Sequence, residues 1–366
     1  MKVYIRPVNI IFGKMAVAAV EAGAALPFLG RHGAFQLAEV TLRKEGVVRQ
    51  RDVVTAGDLN KYCAGLPASL MAPAEESMVH LMTARAPLNG GGKTIDLDRP
   101  VIQGIVNVTP DSFSDGGQFL DPEVAIAHGQ GLKSAGVDIL DIGGESTRPG
   151  ARPVPVSTEM QRILPVIEGL RGCGAVLSVD TRHSEVMRAS AAAGVDMLND
   201  VSALTHDEKS LSVAAQTRLP VVLMHAQGTP QNMQDRPEYT DVLFDVFDYL
   251  QDRIRCCVEA GVEKSRIIVD PGIGFGKTAS DNIELLKGVS LFHALGVPVL
   301  LGVSRKTIIG YLTGAPAPQD RVTGSVAVAQ EAWAQGVQIV RVHDVRETKQ
   351  ALRIWSVLHG VEEAPN

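Results

Sequence analysis

The chain has 366 residues, of which 45% are hydrophobic and 21% are charged, so it is long enough for one large domain with an addition or for two ordinary domains. Its formal net charge of -6 and isoelectric point near 5.9 argue against a general nucleic-acid or anionic-membrane surface, and leave room for a local basic pocket. The four cysteines have no paired spacing typical of zinc or redox motifs, which favours reduced thiols.

The start of the chain carries no apolar stretch behind a basic leader and no small-residue cleavage pattern. The apolar segment 11–29 is interrupted by Lys14 and Glu21, so it is too polar for a membrane span. We therefore expect a soluble, cytoplasmic protein with neither a membrane nor a nucleic acid as its partner.

Residues 1–92 differ in character from the rest of the chain. Segments 3–5 and 35–42 have strand composition, and segments 15–25 and 75–84 have helix composition. The region ends in the sequence Asn-Gly-Gly-Gly, which is typical of a flexible boundary. Because apolar residues are too frequent for a disordered tail, we predict a small N-terminal α+β extension, whose role the sequence does not reveal.

Residues 93–366 alternate between short apolar runs and amphipathic segments, which predicts a hairpin and then strands alternating with helices. Eight such units over about 250 residues predict a (β/α)8 TIM barrel, with an open doubly wound sheet as the alternative. The predicted strands end near residues 107, 142, 180, 199, 224, 270, 302 and 342. The predicted helices cover residues 121–136, 157–169, 184–193, 207–216, 239–260, 281–287, 321–335 and 344–358.

Nearly every predicted strand ends in a side chain that can hydrogen-bond, ionise or bind an anion. A single Asp or Asn at such a place is more often a cap of the next helix, but capping explains eight strands poorly. In a TIM barrel the chemistry lies at the carboxyl ends of the strands. The candidate residues are Asn107, Asp141, Asp180, Asn199, Met224, His225, Asp270, Lys306, Arg341 and His343.

Three of these residues, Asp180, Asn199 and Asp270, offer acceptors that would converge in the barrel mouth. Buried acceptors need a ligand rich in N–H donors, and the amino-amidine edge of a flat heterocycle matches a carboxylate. Lys306 and Arg341 would bring positive charge to the same mouth, and the competing interpretation of these two is a surface ion pair.

Asn107 ends its strand just before a polar loop with two glycines, residues 108–117. Magnesium prefers few protein ligands together with phosphate oxygens of a substrate, so Asn107, with Asp111 and Ser112 in its loop, is the candidate metal position. Residues 272–278 look like a phosphate loop, but Pro271 stands where its first glycine would be. We interpret them as a strand-to-helix loop whose glycines let the backbone approach a ligand.

Eight motifs together resemble the dihydropteroate synthase family, in the family's order and over about residues 95–358. They are NVTPDSFSDGG (107–117), DIGGESTRPGA (141–151), SVDT (178–181), ND (199–200), LMHAQGTPQNMQ (223–234), DPGIGFGK (270–277), GVSRKTIIG (302–310) and RVHDV (341–345).

The resemblance implies a TIM barrel that is usually a homodimer, and a transferase of folate biosynthesis. The implied reaction joins 6-hydroxymethyl-7,8-dihydropterin pyrophosphate to 4-aminobenzoate, giving 7,8-dihydropteroate and pyrophosphate with Mg²⁺ as cofactor. It also implies a sulfonamide target, because sulfonamides compete with the aminobenzoate in this family.

The resemblance also assigns roles to individual residues. The expected substrate-binding residues are Asn107, Thr147, Asp180, Asn199, Met224, Asp270, Phe275, Gly302, Lys306, Thr307, Arg341 and His343. The expected catalytic residues are Asp180, Lys306, Arg341, Asp141 and Arg148. The expected residues of two loops that close over the substrates are Phe113, Ser114, Thr147, Arg148 and Pro149.

Asn107 and His343 resemble the family's magnesium and pyrophosphate positions, with Asp141 beside them. Thr307 stands where the family often has serine beside the aminobenzoate carboxylate. The implied mechanism is substitution at the pterin methylene carbon, in which magnesium and basic groups stabilise the leaving pyrophosphate. If pyrophosphate leaves first, buried carboxylates such as Asp180 stabilise the pterin cation.

Two other functions are compatible with a pterin-binding barrel. A pterin-dependent methyltransferase domain shares the acidic groups, but it has no use for loops built around pyrophosphate and aminobenzoate. A non-catalytic paralogue is expected to have lost a loop residue or a strand-end charge, and none is lost here.

Overall fold

A computed structural model describes residues 1–30, 33–109, 122–146, 150–228, 232–233, 235 and 237–363. Its N-terminal part is a small antiparallel sheet with helices, called the N-terminal layer below. The elements of this layer are β1 (Lys2–Phe12), α1 (Gly13–Glu21), β2 (Leu26–Phe28), β3 (Gly33–Lys44), β4 (Val47–Thr55), α2 (Ala56–Ala64) and α3 (Ala68–Met82). Strand β3 is central: β1 pairs along one edge, and β2 and β4 pair along the other.

The strands and helices predicted for this part of the chain are present, and the structure adds three elements, β2, β4 and α2. Strand β4 was not predicted because it contains the charged run 49–52. The strand lies at the edge of the sheet and most of its side chains are exposed. Charged residues are common in such an edge strand, since they protect it from pairing with other chains.

A short hairpin, β5 (Leu88–Gly90) and β6 (Lys93–Ile95), connects the N-terminal layer to the rest of the fold. Its turn is Gly91-Gly92, the position at which the sequence predicts a boundary. The hairpin closes the amino-terminal end of the barrel, where Leu88, Ile95 and Leu97 pack against residues inside the strands. Those residues are Val101, Ile139, Val176, Met197, Val222, Ile268, Leu300 and Ile339.

Within the described residues, eight parallel strands form the predicted TIM barrel. They are β7 (Val101–Asn107), β8 (Ile139–Gly143), β9 (Val176–Asp180), β10 (Met197–Asp200), β11 (Val221–Met224), β12 (Ile267–Asp270), β13 (Leu300–Leu301) and β14 (Ile339–Val342). The hydrogen-bonded order runs from β12 back to β7 and then through β14 to β13, and a bridge between Val269 and Val299 closes the ring. This closure rules out the open doubly wound sheet.

Helices surround the barrel, and most follow the predicted pattern within a few residues. They are α4 (Pro122–Ser134), α5 (Val156–Leu170), α6 (Ser184–Ala193), α7 (Ser210–Thr217), α8 (Val242–Glu259), α9 (Ala279–Lys287), α10 (Thr307–Thr313), α11 (Val322–Ala334) and α12 (Val345–Leu358). Helix α10 was not predicted, because its seven residues include β-branched side chains and a glycine. Among the described helices, none has the length and apolar character needed to cross a membrane.

The N-terminal layer packs against the outside of the barrel. The Tyr4 hydroxyl lies 3.0 Å from both carboxylate oxygens of Asp248 on α8. The Phe28 ring meets His293 edge-on, and the Arg85 guanidinium donates to the His293 carbonyl over 2.7 Å. One apolar core continues from this layer into the barrel wall, so the layer is an integral part of the fold.

We predict that Leu88→Ala lowers the free energy of unfolding by about 2–5 kcal/mol, because it opens a cavity under the barrel. Val53→Ala is the control, since Val53 is 65% exposed on an edge strand, and it should change stability by less than about 0.5 kcal/mol. Urea unfolding followed by circular dichroism measures both. Equal effects would show that the hairpin contributes little to the stability of the barrel.

Candidate functional site

The candidate site lies at the carboxyl ends of the barrel strands and centres on Arg341, which β14 carries into the mouth. Its Nε donates to Asp141 Oδ2 over 2.7 Å, and its Nη2 donates to Asp180 Oδ2 over 2.8 Å. The Arg341 side chain is 20% exposed, so part of it remains accessible to solvent. This pairing with carboxylates inside the barrel excludes the surface ion pair as an interpretation of Arg341.

Strand register explains why the polar residues meet. The strands of an eight-stranded barrel are tilted, so side chains at one height come from every second strand. From one such strand to the next, the residue at the same height lies about two positions beyond the residue that the hydrogen-bond register places opposite. Following the observed register in this way gives one layer of Asp141, Asn199, Asp270 and Arg341.

The intervening strands give a second layer by the same construction. It contains Ile105, Asp180, Met224 and Gly302. The two layers hold seven of the residues expected to act in the site, and Ile105 is a wall residue that the sequence did not single out. Residues predicted from seven separate motifs therefore come together at the carboxyl ends of the strands.

Asp141 requires a correction. We expected it beside Asn107 and His343, the magnesium and pyrophosphate positions. Its side chain is instead completely buried, and its Oδ2 accepts hydrogen bonds from both Arg341 and Asn199 Nδ2, the latter over 3.0 Å. Asp141 therefore orients these two residues and is not itself open to substrate.

Asp180 is nine-tenths buried, and it shares the Arg341 guanidinium with Asp141. Burial raises the pKa of the Asp180 carboxyl well above its ordinary value, and the charge of Arg341 opposes that rise. The carboxylate form of Asp180 therefore depends on Arg341.

A second cation faces Asp270 across the mouth. Lys306 Nζ donates to the Ile273 carbonyl over 2.5 Å and lies 4.5 Å from the centre of the Phe275 ring. Burial lowers the pKa of Lys306 to about 8, while Asp270 opposes that fall. Asp270 Oδ1 also accepts the backbone N–H of Gly272 over 2.7 Å, which fixes the carboxylate in place.

The loop after β12 needs its first glycine for a geometric reason. Gly272 has φ of +70°, and a Cβ there would lie 1.9 Å from the carbonyl oxygen of His225. The loop therefore packs directly on the chain leaving β11. This agrees with its interpretation as a strand-to-helix loop.

Four other expected residues also lie around the mouth. Met224 is buried, and Gly302 leaves room beside Arg341 and Asp270. The His343 ring contacts the Ser304 hydroxyl through Nδ1 over 3.0 Å, and Thr307 is exposed at the start of α10.

Asn107 is half-buried at the end of β7. In the described part of the chain, no group of three or more His, Cys, Asp or Glu side chains is arranged to hold a metal ion. Several expected residues lie outside the described part: Asp111, Ser112, Phe113, Ser114, Thr147, Arg148 and Pro149.

Sequence reasoning missed two polar pairs behind the site. Lys277 Nζ lies 2.9 Å from His225 Nδ1 and 3.0 Å from the Phe275 carbonyl, in a fully buried position, and burial lowers the pKa of Lys277 to about 7. Arg182 holds Glu145 through two hydrogen bonds of 2.8 and 2.9 Å. Each motif residue was visible in the sequence, but its partner lies on another loop and no local pattern connects the two.

Comparison with known proteins identifies the family. Residues 103–343 match the family model described as pterin binding enzyme. The dihydropteroate synthase of Escherichia coli (strain K12) is 46% identical over 273 residues, which are 74% of this chain and 96% of that protein. The chain belongs to the pterin-binding enzyme family. The dihydropteroate synthase of Neisseria meningitidis serogroup B is likewise 46% identical, over 75% of this chain and 98% of that protein.

Solved structures of the family have the same fold. A dihydropteroate synthase of Xanthomonas albilineans with 4-aminobenzoic acid is 49% identical, has a TM-score of 0.72, and covers 77% of this chain and 100% of its own. The Xanthomonas albilineans enzyme in complex with 7,8-dihydropteroate has a TM-score of 0.69 at 46% identity, over 76% of this chain and 100% of its own. The resemblance to dihydropteroate synthases is thereby confirmed, and about a quarter of this chain lies outside these alignments.

We predict that Arg341→Met lowers the free energy of unfolding by about 3–5 kcal/mol, because it leaves buried carboxylates without their cation. The loss should be larger at pH 8 than at pH 5. The charge of Arg341 limits the rise of the Asp180 pKa that burial causes. Without Arg341, the pKa of Asp180 in the folded state lies still further above its value in the unfolded chain. Stability from such a group is present below the unfolded pKa and lost as pH rises through the folded pKa.

Urea unfolding at both pH values tests this prediction. Arg353→Met is the control, because Arg353 pairs with Glu362 on the exposed surface and should cost at most about 1 kcal/mol. A loss independent of pH would contradict the dependence of Asp180 on Arg341.

Proposed function

We infer that this chain is a dihydropteroate synthase. The reaction condenses 6-hydroxymethyl-7,8-dihydropterin pyrophosphate with 4-aminobenzoate and releases 7,8-dihydropteroate and pyrophosphate, as a transferase step of folate biosynthesis. The observation that carries this conclusion is the Arg341–Asp180 pair in the mouth of a barrel that matches dihydropteroate synthases over nearly their whole length.

We propose that the pterin lies in the mouth of the barrel, against side chains from both layers of the site. Asp180, Asn199 and Asp270 offer acceptors to the N–H groups of its amino-pyrimidine edge, since buried acceptors require donors. Met224 and Phe275 supply apolar walls. The Arg341 guanidinium is proposed to lie against the pterin ring, a contact that suits a planar, weakly hydrated cation.

The basic side chains act on the leaving group. Lys306, Arg341 and His343 are directed toward one mouth, where positive charge stabilises pyrophosphate as its C–O bond to the pterin methylene breaks. Asp180 faces the positive charge that develops on the pterin when this bond breaks first. The aminobenzoate amine is uncharged at neutral pH, so it attacks the methylene carbon without a protein base and then loses its proton.

Magnesium is proposed as the cofactor, with Asn107 as its protein ligand. The donor set fits only a lightly coordinated ion: Asn107 offers one neutral oxygen, and the described residues contain no carboxylate cluster around it. Such an ion takes most of its ligands from phosphate oxygens and water. Bound there, it would supply positive charge to the leaving pyrophosphate.

The second substrate is placed near Thr307, whose hydroxyl lies at the exposed start of α10. A hydroxyl and the backbone N–H groups of a helix start suit the carboxylate of 4-aminobenzoate. Thr147 and Arg148 complete this side of the site in the proposal. Sulfonamides, which resemble the aminobenzoate, are expected to compete for the same place. A sulfonamide drug complex has been solved for the dihydropteroate synthase of Yersinia pestis.

We also propose that the enzyme acts in the cytoplasm as a homodimer. The expected assay is direct: purified protein, the pterin pyrophosphate, Mg²⁺ and 4-aminobenzoate yield dihydropteroate. Absence of product with retained pterin binding would favour a non-catalytic paralogue, and methyl transfer from methyltetrahydrofolate to a corrinoid would favour the methyltransferase alternative.

We predict that kcat/KM for the pterin pyrophosphate falls as pH rises above about 8. The pKa of Lys306 is lowered to about 8, so its positive charge is present below that pH and lost above it. Lys306→Arg keeps its charge at all accessible pH values and should move the alkaline limb upward, whatever its effect on the maximal rate. The same limb in both proteins would assign it to another group, such as Lys277.

We predict that Asp180→Ala abolishes measurable pterin binding, because the mutation removes a buried acceptor and leaves Arg341 partly unpaired. Arg148→Ala should retain pterin binding and mainly reduce turnover and use of aminobenzoate. Calorimetric titration with the pterin and steady-state kinetics separate the two effects. Normal binding and turnover in both variants would refute these roles.

A further inference from the structure

The N-terminal layer touches the barrel next to a loop of the candidate site. At the end of β3, the Arg43 side chain is 5% exposed and its Nη2 donates to Asp245 Oδ1 over 2.6 Å. Its Nε donates to the Gly46 carbonyl over 2.8 Å, so the guanidinium is fixed by two hydrogen bonds. Arg43 belongs to the part of the chain that precedes the family match at residues 103–343.

Asp245 carries this contact to the chain between β11 and α8. It lies in the first turn of α8, and its Oδ2 accepts the backbone N–H groups of Thr240 and Asp241 over 2.8 and 3.1 Å. One carboxylate therefore joins Arg43 of the N-terminal layer to the backbone that leads into the helix. Because the Asp245 carboxylate accepts hydrogen bonds both from Arg43 and from the backbone before α8, movement of Arg43 would disturb the start of this helix.

Tyr239, which precedes Thr240, connects this backbone to the loop after β12 in the candidate site. Its hydroxyl donates to the Gly276 carbonyl over 2.6 Å. Gly276 itself is tightly packed, since a Cβ there would lie 2.4 Å from the Gln227 carbonyl oxygen. The residue before it is Phe275, whose ring lies 4.5 Å from Lys306 Nζ.

Two further hydrogen bonds join the two ends of the loop between β11 and α8. Gln227 Oε1 accepts the Glu238 N–H over 3.0 Å, and Gln227 Nε2 donates to the Glu238 carbonyl over 3.2 Å. The described residues at both ends of the loop are thus fixed to each other and to Gly276. Arg43 is the point at which the N-terminal layer enters this arrangement.

We propose that Arg43 is a positioning residue for the pterin side of the site. Through Asp245 it fixes the chain at Thr240 and Asp241. The adjacent Tyr239 then holds Gly276, and hence the Phe275 wall beside Lys306. The N-terminal layer thereby acts on substrate affinity as well as on stability. This inference rests on the proposed function of the site.

A purely stabilising role makes a different prediction, and the chain offers a matched control. Arg6 on β1 is another largely buried arginine at this interface, and its side chain is 21% exposed. It contacts Glu39 over 3.0 Å and the Lys287 carbonyl at the end of α9 over 3.2 Å. Its removal should therefore weaken docking of the layer without reaching Tyr239 or Gly276.

The test compares Arg43→Met with Arg6→Met in the full chain. We expect Arg43→Met to raise KM for the pterin pyrophosphate by about tenfold, the size typical of one lost charge-assisted hydrogen bond, with kcat changed by less than about twofold. Arg6→Met should lower thermal stability and leave KM unchanged. Equal KM for Arg43→Met and wild type, or an equal rise in both variants, would overturn the proposal.

A double variant tests the path itself. Tyr239→Phe removes only the hydroxyl, so it should raise KM alone, and combining it with Arg43→Met should give less than the product of the two effects. Independent effects would overturn the path through Tyr239. If Arg43→Met does not fold, Arg43→Lys keeps the charge but cannot make both hydrogen bonds, and the same comparison applies.

The wild-type protein separates failure of this inference from failure of the proposed function. No dihydropteroate from wild type refutes the synthase proposal, and the inference with it. An active wild type with an unchanged KM in Arg43→Met refutes only the role of Arg43.

Discussion

The site depends on the pairing of buried charges between Arg341 and the carboxylates of Asp141 and Asp180. Removing an ion from water costs several kcal/mol, and only close opposite charges with good hydrogen bonds offset that cost. The barrel meets this condition by giving Arg341 two carboxylates at 2.7 and 2.8 Å. Asp141 is completely buried, so its partners Arg341 and Asn199 are held in fixed orientations before any substrate arrives.

The closed barrel makes this pairing possible. Its tilted strands bring side chains of every second strand to one height, and the apolar layer beneath is closed by the hairpin at Leu88 and Ile95. The polar groups therefore lie on a buried apolar layer and are open to the mouth on one side. A preformed site of this kind binds a flat, hydrogen-bonding ligand without first having to order its own side chains.

The N-terminal layer is packed into the fold through apolar and polar contacts. Its apolar core continues into the barrel wall, and its polar contacts reach Asp245 at the start of α8. That helix follows directly from a loop of the site, and Tyr239 links the loop to Gly276. A segment that lies outside the family match can in this way influence a site formed entirely by family motifs.

The sequence alone determined the alternation of strands and helices, the residues at the strand ends and the family, because these depend on local patterns and on motifs such as DPGIGFGK. The tertiary structure decided which of these residues meet. Asp141 is buried against Arg341 and Asn199, and Lys277 is hydrogen-bonded to His225, because register and packing join residues far apart in the chain. The structure also decided the place of Arg43, since an ion pair across 202 residues has no local signal.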